Sequence, residues 1–255
     1  MPYGTPFVAR QLEHGKFNRF LAALPAHDFS LLAPHLRTIT LERGVMLHDV
    51  GEDIEHVYFP ITGMVSLVAV MQSGATVETA TIGRGGIIGA SAALGARSTF
   101  GRAIVQLSGS AAWLSAAQFH AAANECQAIR DLVVRYNDLL LAQVQQSVAC
   151  NALHALESRL CRWLLQTHDC VDGDAIPLTQ EFLGQMLGVR RTTVTIAARL
   201  LQSAGLIRYR RGLIHILDRP ALEDISCECY AVVRHNLDKV FPAPPLNKYA
   251  RAGGT

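Results

Sequence analysis

The feature that most constrains the fold of this chain is a change in sequence character at Ser115. Between residues 37 and 115, glycine recurs at short intervals among runs of β-branched residues such as VSLVAVM (65–71) and TVETATI (76–82). From 116 to 166 the chain has neither glycine nor proline and is rich in alanine, leucine and glutamine. The first pattern favours short strands in a β-barrel or jelly roll, and the second favours long helices. The chain therefore combines a β domain with a helical segment.

An apolar stripe runs along the helical segment. Its members are spaced three or four residues apart, which places them on one face of a helix of about 20 residues. This face can pack against the chain's own domain, or it can form a seam with a second chain, as in a coiled coil. Because the helix would connect two domains, we favour the seam and expect a homodimer interface at Ile129, Val133, Tyr136, Leu140 and Val144.

A turn-rich segment, THDCVDGDAIP (167–177), separates the helices from a smaller C-terminal domain. Thr179 is suited to cap a short helix of residues 180–187, and Gly188 is suited to a left-handed turn. A second helix from about residue 190 to 203 would end before Gly205. Apolar residues of this second helix share one face, at Val194, Ala197, Ala198 and Leu201. Helix, glycine turn and amphipathic helix form the helix–turn–helix pattern.

Positive charge is concentrated in this small domain. Residues 187–212 contain six arginines and no lysine, and no acidic residue lies between Glu181 and Asp218, although the whole chain has a formal net charge of only +2. The segments LIRY (206–209) and LIHIL (213–217) predict two strands joined by an Arg-Arg-Gly turn, which forms a wing with a cationic tip. Like charge held on an exposed helix and a wing is typical of a DNA-binding surface.

The order of these segments resembles the cyclic-AMP receptor protein / fumarate–nitrate reductase regulator (Crp/Fnr) superfamily. The resemblance runs from about residue 30 to 217; it is specific in LTQEFLGQMLGVRRTTV (178–194) and moderate in GEDIEHVYFPITGMVSL (51–67). It implies an α+β fold. The expected parts are a cyclic-nucleotide-binding-like β-roll with N-terminal helices (1–115), connecting and dimerisation helices (116–167), a winged helix–turn–helix with a C-terminal helix (168–240) and a flexible tail (241–255).

The resemblance also implies roles in DNA binding. Arg191 occupies the position of the family's base-reading arginine, and Thr192 and Ile196 stand where relatives often carry a glutamate and a second arginine. Loss of those two polar readers predicts a changed operator sequence, in which Ile196 can contact a thymine methyl group. Phosphate contacts are expected from Thr179, Arg190, Thr193, Thr195, Arg199, Arg208, Arg210 and Arg211.

The implied ligand pocket departs from the family pattern in GIIGASAALGARSTFGRA (86–103). The retained positions are Gly89, Arg97, Ser98 and Arg102. Ala90 replaces the glutamate that holds the ribose hydroxyl, and Val144 and Gln145 replace the pair that contacts the adenine. A buried hydroxyl without its acceptor costs about 1–3 kcal/mol. We therefore expect a degenerate pocket and a signal other than cyclic AMP; Arg97 can bind another anion or pair with a carboxylate.

The six cysteines are spread through a chain in which we find no export signal, so reduced thiols are expected. No cysteine precedes Cys126, which excludes the N-terminal iron–sulfur cluster of the family's oxygen sensors. Cys227 and Cys229 lie in a stretch that looks helical, where residues two apart point away from each other. This spacing favours packing over metal binding, and we expect neither a metal nor a cofactor. A reactive thiol at Cys150 or Cys161 stays open.

These features predict a cytoplasmic transcription regulator without enzymatic activity. It would bind a palindromic site in double-stranded DNA as a homodimer, would contact RNA polymerase if it is an activator, and would not associate with membranes. No P-loop, GxSxG or HExxH motif is present. The alternative is a small-ligand sensor for a cyclic nucleotide or another anion, without competent DNA binding. The retained Arg97–Ser98 pair is the observation that supports this alternative.

Overall fold

The computed structural model describes residues 5–6, 18–171 and 173–242. Its N-terminal part is a β-roll built on two long antiparallel strands, β4 (His56–Val70) and β6 (Arg102–Ser115). Strand β5 (Thr76–Ile82) pairs with β4. Strands β2 (Arg37–Leu41) and β3 (Met46–His48) pair with β6, and β1 (Thr5–Pro6) pairs with β2. The expectation of a β-roll between residues 37 and 115 is confirmed.

Strands β4 and β6 approach each other closely at Gly109. A Cβ atom added to this glycine would lie 2.2 Å from the carbonyl oxygen of Thr62. The register of the β4–β6 pair also shifts between Pro60 and Thr62 and again between Thr62 and Met64. Irregular pairing of this kind bends a strand and increases its twist, which lets two long strands curl into a roll.

Helices precede and follow the roll in the sequence. Two short ones, α1 (Arg19–Ala22) and α2 (Ala26–Leu32), precede β2, and α3 (Ala116–Glu125) follows β6 directly. Ser115 begins α3 with a capping box, because its hydroxyl accepts from the Gln118 backbone N–H while the Gln118 side chain accepts from the Ser115 N–H. The long helices α4 (Gln127–Leu153) and α5 (Leu156–His168) come next. Among the described residues, no helix combines the length and apolar character that crossing a bilayer requires.

The expected seam on α4 is corrected by the structure. Ile129, Val133 and Tyr136 are buried in the core of their own chain, together with aromatic residues of the roll, so they are not available to a second chain. Leu140 and Val144 are only partly buried. The periodicity was correct, but Ile129, Val133 and Tyr136 pack in the core of their own chain, which was the other alternative, and Leu140 packs partly against that core. The interface role of Val144 stays a prediction.

The C-terminal part forms the winged helix–turn–helix. It comprises β7 (Ala175–Pro177), α6 (Gln180–Leu187), α7 (Arg191–Ser203), β8 (Ile207–Arg210) and β9 (Leu213–Ile216), and the strands form a sheet in the order β7-β9-β8. Two further helices, α8 (Arg219–Ile225) and α9 (Cys229–Val240), follow, and α9 packs on α4. The predicted fold class, an α+β chain with a β-roll, connecting helices and a winged helix–turn–helix, is confirmed.

The chain after α9 does not begin as the expected tail. Phe241 is fully buried and packs against the rings of Phe20 and Tyr136, with centroids 5.9 Å and 6.2 Å away. Arg19 pairs with Asp238 at 2.6 Å and also donates to the Phe241 carbonyl. The prediction of a flexible tail was therefore wrong for Phe241; residues 243–255 lie outside the described part of the chain.

The close strand approach predicts a strong effect of Gly109→Ala. The added methyl group would collide with strand backbone rather than with a movable side chain, and we expect a loss of about 3 kcal/mol or more in the free energy of unfolding. Gly101→Ala is the control, since its Cβ would meet nothing closer than 4.0 Å. Urea unfolding of both variants measures the difference. Equal stabilities would contradict the described strand crossing.

Candidate nucleic-acid interface

The turn between α6 and α7 sets the angle of the two helices. Thr179 begins α6, and its hydroxyl accepts a hydrogen bond from the Phe182 backbone N–H at 3.3 Å. Gly188 ends α6 in the left-handed conformation, with φ of 67°. A side chain at that position would be strained, so the glycine allows the short turn into α7.

Helix α7 has one buried and one exposed face, as predicted. The residues that contact the small domain's core are Val194, Ala197, Ala198 and Leu201. On the other side Arg191, Thr192 and Thr193 are exposed, and Ile196 keeps 59% of its surface accessible. An exposed isoleucine on this face is suited to an apolar contact, such as the one expected with a thymine methyl group.

Six arginines, here called the arginine surface, lie on α7 and the wing: Arg190, Arg191, Arg199, Arg208, Arg210 and Arg211. All six are exposed. The ion pairs of the described residues involve other cations, so no described carboxylate neutralises these guanidinium groups. The arginine surface therefore keeps its positive charge available to an anion in solution.

The wing projects two of these arginines. A two-residue turn, Arg211–Gly212, joins Arg210 of β8 to Leu213 of β9. Both turn residues have positive φ, 51° for Arg211 and 75° for Gly212, as in the tight hairpin turns that match strand twist. The turn therefore holds the Arg211 side chain at the outermost point of the hairpin.

A surface groove connects α7 to the wing. It is lined by Gln180, Arg191, Thr192, Thr195, Ala198, Arg199, Gln202 and Tyr209. The Thr195 hydroxyl donates to Gln180 Oε1 at 2.7 Å, and the Tyr209 backbone N–H donates to Gln202 Oε1 at 2.8 Å. The structure thus brings the predicted Arg191, Thr192, Thr195 and Arg199 together. Sequence reasoning missed the two glutamines. The one indication of them in the sequence is that polar residues recur on the outer sides of α6 and α7.

Two of the predicted phosphate contacts have competing partners. The Thr179 hydroxyl caps α6, and the Thr195 hydroxyl is directed to Gln180 and to the Arg191 carbonyl. In its cap the Thr179 hydroxyl only accepts, so its proton can still be donated to a phosphate oxygen. Thr195 already donates its single proton, so it would have to release its present acceptor to bond a phosphate. Thr193 is exposed and has no such contact among the described hydrogen bonds.

Helix α6 of the small domain contacts the β-roll. Gln185 of α6 donates to the Thr76 hydroxyl at 2.7 Å, and Arg43 of the roll lies over the Phe182 ring at 5.3 Å from its centroid. Arg43 also donates to the Pro177 carbonyl at 3.0 Å. The outer face of α7 is consequently directed away from the roll and remains accessible.

A buried carboxylate lies where α5 packs on the roll. Glu78 of β5 accepts a hydrogen bond from the Trp163 indole at 2.8 Å and another from the Ser66 hydroxyl. Burial raises the pKa of Glu78 to about 7, because the charged form loses its hydration. The two hydrogen bonds and the nearby Arg162 favour the charged form, but their effect on the pKa is smaller than that of burial. The contact between roll and α5 thus includes a group that titrates near neutral pH.

We expect Glu78 to make stability depend on pH. Its pKa is higher in the folded chain than the ordinary 4.5, so the folded state binds more protons between about pH 4.5 and about pH 7. The stability that this group contributes at low pH is then lost as the pH rises through that window, by at most about 3 kcal/mol. The Glu78→Gln variant should lack this loss. Urea unfolding across the window compares the two proteins, and parallel curves would contradict the assignment.

The residues expected to form a ligand pocket differ in burial and in partners, and their role as a pocket stays a prediction. Ala90 is packed in the core of the roll. Arg102 forms a two-bond ion pair with Asp49 at 2.8 and 2.9 Å, which lowers the pKa of that carboxyl, whereas Arg97 is exposed. Val144 is partly buried and Gln145 exposed on α4, and Gly89 and Ser98 lie on the roll. Tyr136 of α4 contacts the start of the segment 86–103, because its hydroxyl donates a hydrogen bond to the Ile87 carbonyl at 2.9 Å.

A cavity that the sequence did not predict lies between the roll and the C-terminal helices. It has a volume of about 280 Å³. Its lining combines apolar groups with polar ones, among them Tyr136, Gln143, Gln166, Asp169 and Arg234. These residues come from α4, α5, α9 and the segment after α5. They are far apart in sequence, so their meeting could not be deduced from spacing.

The β-roll, the long connecting helices and the winged helix–turn–helix define a two-domain regulator fold, and comparison with known proteins agrees. The model for the cyclic nucleotide-binding domain matches residues 38–125, and the model for the Crp-like helix–turn–helix domain matches residues 158–225. The chain therefore belongs to the Crp/Fnr superfamily, as its sequence indicated. No curated protein sequence matches the chain.

Solved structures show the same fold at low sequence identity. FixK2 from Bradyrhizobium japonicum has a TM-score of 0.64 and 16% identity, and the match covers 75% of this chain and 98% of that one. The c-di-GMP responsive regulator CLP from Xanthomonas campestris has a TM-score of 0.61 and 14% identity, covering 76% and 100%. A CRP-family transcriptional regulator from Thermus thermophilus, TTHB099, has a TM-score of 0.61 and 20% identity, covering 74% and 96%.

Proposed function

We propose that this chain is a homodimeric transcription regulator that binds double-stranded DNA through α7 and the wing. The observation that carries this proposal is the arginine surface, which is exposed, without a described acidic partner, and located on the two elements that can reach a duplex together. Exposed arginines on a winged helix–turn–helix displace counterions from phosphates, which supplies most of the sequence-independent affinity. The protein would act in the cytoplasm and not as an enzyme.

Base reading falls to the outer face of α7. Arg191 can make two hydrogen bonds to a guanine edge, Thr192 can bond to any base, and Ile196 can contact a thymine methyl group. Arg190, Arg199 and the wing arginines would position the domain on the backbone. If the regulator is an activator, RNA polymerase is the further partner.

An exposed stripe on α4 supports the homodimer. Val134, Leu141 and Val148, here called the α4 stripe, are exposed to 46%, 56% and 65%. They are spaced by seven residues, the repeat with which a helix presents one apolar edge to a partner helix. The α4 stripe lies beside the expected seam rather than on it, since the expected face covers the roll. Two chains joined there would favour a two-fold symmetric DNA site.

Salt dependence tests the proposed DNA binding. The affinity for a promoter-length duplex should fall steeply with salt, and replacing Arg210 with glutamine and Arg211 with asparagine should reduce the slope of log affinity against log salt by about one per lost phosphate contact. Asparagine tolerates the positive φ of residue 211, so the turn is kept. Arg97→Gln, an exposed arginine of the roll, is the control. Gel-shift titration that shows no salt dependence would contradict the proposal.

Arg191→Ala tests base reading separately. Losing a bidentate contact to guanine should cost about 1–3 kcal/mol on the selected site and relax the preference at one position of each half-site. Selection from genomic DNA with the purified protein gives the site and its symmetry, and repeating it with the variant gives the lost position. An unchanged base preference would indicate that Arg191 contacts the DNA backbone and not a base.

Leu141→Glu tests the α4 stripe. A carboxylate buried without a partner at a helix seam costs about 3–5 kcal/mol, so the variant should become monomeric at concentrations where the unaltered chain is a dimer. Val232→Glu changes an exposed apolar residue of α9 and is the control. Analytical ultracentrifugation reads the mass. A variant that stays dimeric would place the interface elsewhere.

A small-ligand sensor is the second candidate. The observations in its favour are the exposed Arg97 and the cavity of about 280 Å³ between roll and helices. A ligand that binds only the folded chain adds about 2.7 kcal/mol to the free energy of unfolding when its concentration is a hundred times its dissociation constant. The melting temperature rises as a result. Thermal shifts with cyclic AMP, cyclic GMP and cyclic di-GMP would reveal it, the last because one structural neighbour responds to it.

A further inference from the structure

Four metal-ligating side chains meet where the end of α4 contacts the junction of α8 and α9. Cys150 and His154 lie four residues apart, on the last turn of α4 and just after it. Cys227 lies between α8 and α9, and Cys229 is the first residue of α9. These four residues, here called the thiol cluster, are brought together from segments more than 70 residues apart in sequence.

The expectation that Cys227 and Cys229 point in opposite directions was wrong. It assumed one continuous helix, but α8 ends at Ile225 and Ser226 adopts an extended conformation with ψ of 152°. The chain therefore turns between the two helices. Both thiols then face α4, and Cys227, Cys229 and Cys150 form a small buried cluster of their own.

The donor atoms of the thiol cluster have the spacing of a tetrahedral metal site. The three sulfur atoms and one ring nitrogen of His154 all lie within 4.8 Å of one another. Cys150 Sγ is 3.5 Å from Cys227 Sγ, and Cys229 Sγ is 3.5 Å from His154 Nδ1. Zinc bonds of about 2.3 Å to sulfur and about 2.0 Å to nitrogen, in a tetrahedron, place ligand atoms roughly 3.5–3.8 Å apart. Small side-chain shifts would complete that geometry.

We propose that the thiol cluster is a structural binding site for Zn²⁺, with three thiolates and one imidazole as ligands. Three sulfur donors select a soft or borderline metal, and four protein ligands leave no open position for a reacting water. The site would thus hold the structure together rather than catalyse a reaction.

Two neighbouring side chains orient the ligands as in known metal sites. His154 Nε2 lies 3.2 Å from a carboxylate oxygen of Glu228, so Nδ1 is the nitrogen directed to the sulfurs. A carboxylate behind a ligating histidine fixes the ring and its tautomer. Gln146 donates its amide N–H to Cys229 Sγ at 3.0 Å. Cysteines that only fill a core require neither partner.

The surroundings also suit the charge of such a site. One Zn²⁺ with three thiolates and a neutral imidazole carries a net negative charge. Arg159 and Arg162 are both buried and both interact electrostatically with Cys150, and the Nε atoms of both lack hydrogen-bond partners among the described residues. Cys229 lies at the N-terminus of α9, where the helix dipole favours a thiolate, whereas burial acts in the opposite direction and raises the pKa of this thiol.

A disulfide would account for less of this arrangement. Cys150 and Cys227 are close enough in sulfur–sulfur distance to be joined after a small movement. That bond would leave Cys229 and the oriented His154–Glu228 pair without a role. A bound ion uses all four donors and ties the end of α4 to α8 and α9. The metal site does not rest on the proposed DNA binding; only an effect of the metal on DNA binding would.

Metal titration of the full chain, reduced and without DNA, tests the site. Co²⁺ should bind at one ion per chain and give thiolate-to-cobalt charge-transfer bands with the intense visible bands of tetrahedral coordination, and Zn²⁺ should displace it. Cys227→Ser and His154→Asn should abolish or change these bands. Cys126→Ser, a buried thiol outside the thiol cluster, should leave them unchanged.

Glu228→Gln serves as the variant that keeps all four ligands. It should weaken metal affinity by roughly 10–100-fold while the chain stays folded, because only the orientation of His154 is affected. A folded, reduced chain that binds neither metal, or one whose Co²⁺ spectrum lacks sulfur charge transfer, would overturn the proposal. So would a mass showing a Cys150–Cys227 disulfide in protein purified with its metals. Because no readout involves DNA, failure here would leave the proposed regulator function untouched.

Discussion

The packing of α5 against the β-roll determines how the parts of this molecule are arranged. Trp163 is buried in a core that includes Met64, Val68 and Leu107 of the roll as well as residues of the small domain, so the two domains share apolar contacts. Glu78 is hydrogen-bonded to the Trp163 indole within this interface. Because α6 then lies along the roll, α7 and the wing are left on the outside. The accessibility of the arginine surface depends on this arrangement.

The distribution of charge matters more than its total. A formal net charge of +2 would give a folded chain of this size little attraction for a polyanion. Six arginines lie on α7 and the wing, and no described carboxylate pairs with them, so they create a local positive field that favours a polyanion. The acidic residues are elsewhere, several of them in ion pairs such as Asp49 with Arg102 and Asp169 with Arg219.

Much of the fold could be predicted from local signals, and the errors arose where tertiary contacts decide. Thr179, Gly188 and the apolar face of α7 act within one short segment, so the helix–turn–helix could be read directly. The stripe at Ile129, Val133 and Tyr136 shows only that one face of α4 is apolar, not which body covers it. Nothing in the sequence around Cys227 marks a helix break, since no glycine or proline is present there. The break becomes evident only when Cys227 is seen buried against α4.

The seven-residue repeat of the α4 stripe has a geometric consequence for the proposed dimer. A helix has about 3.6 residues per turn, so a strict repeat of seven drifts around its surface and two such helices must wind around each other with a left-handed twist. Each α4 is followed within three residues by α5, which carries the small domain. The handedness of that crossing would then determine where the two copies of α7 stand around the two-fold axis, and a change in supercoil would rotate both by equal amounts.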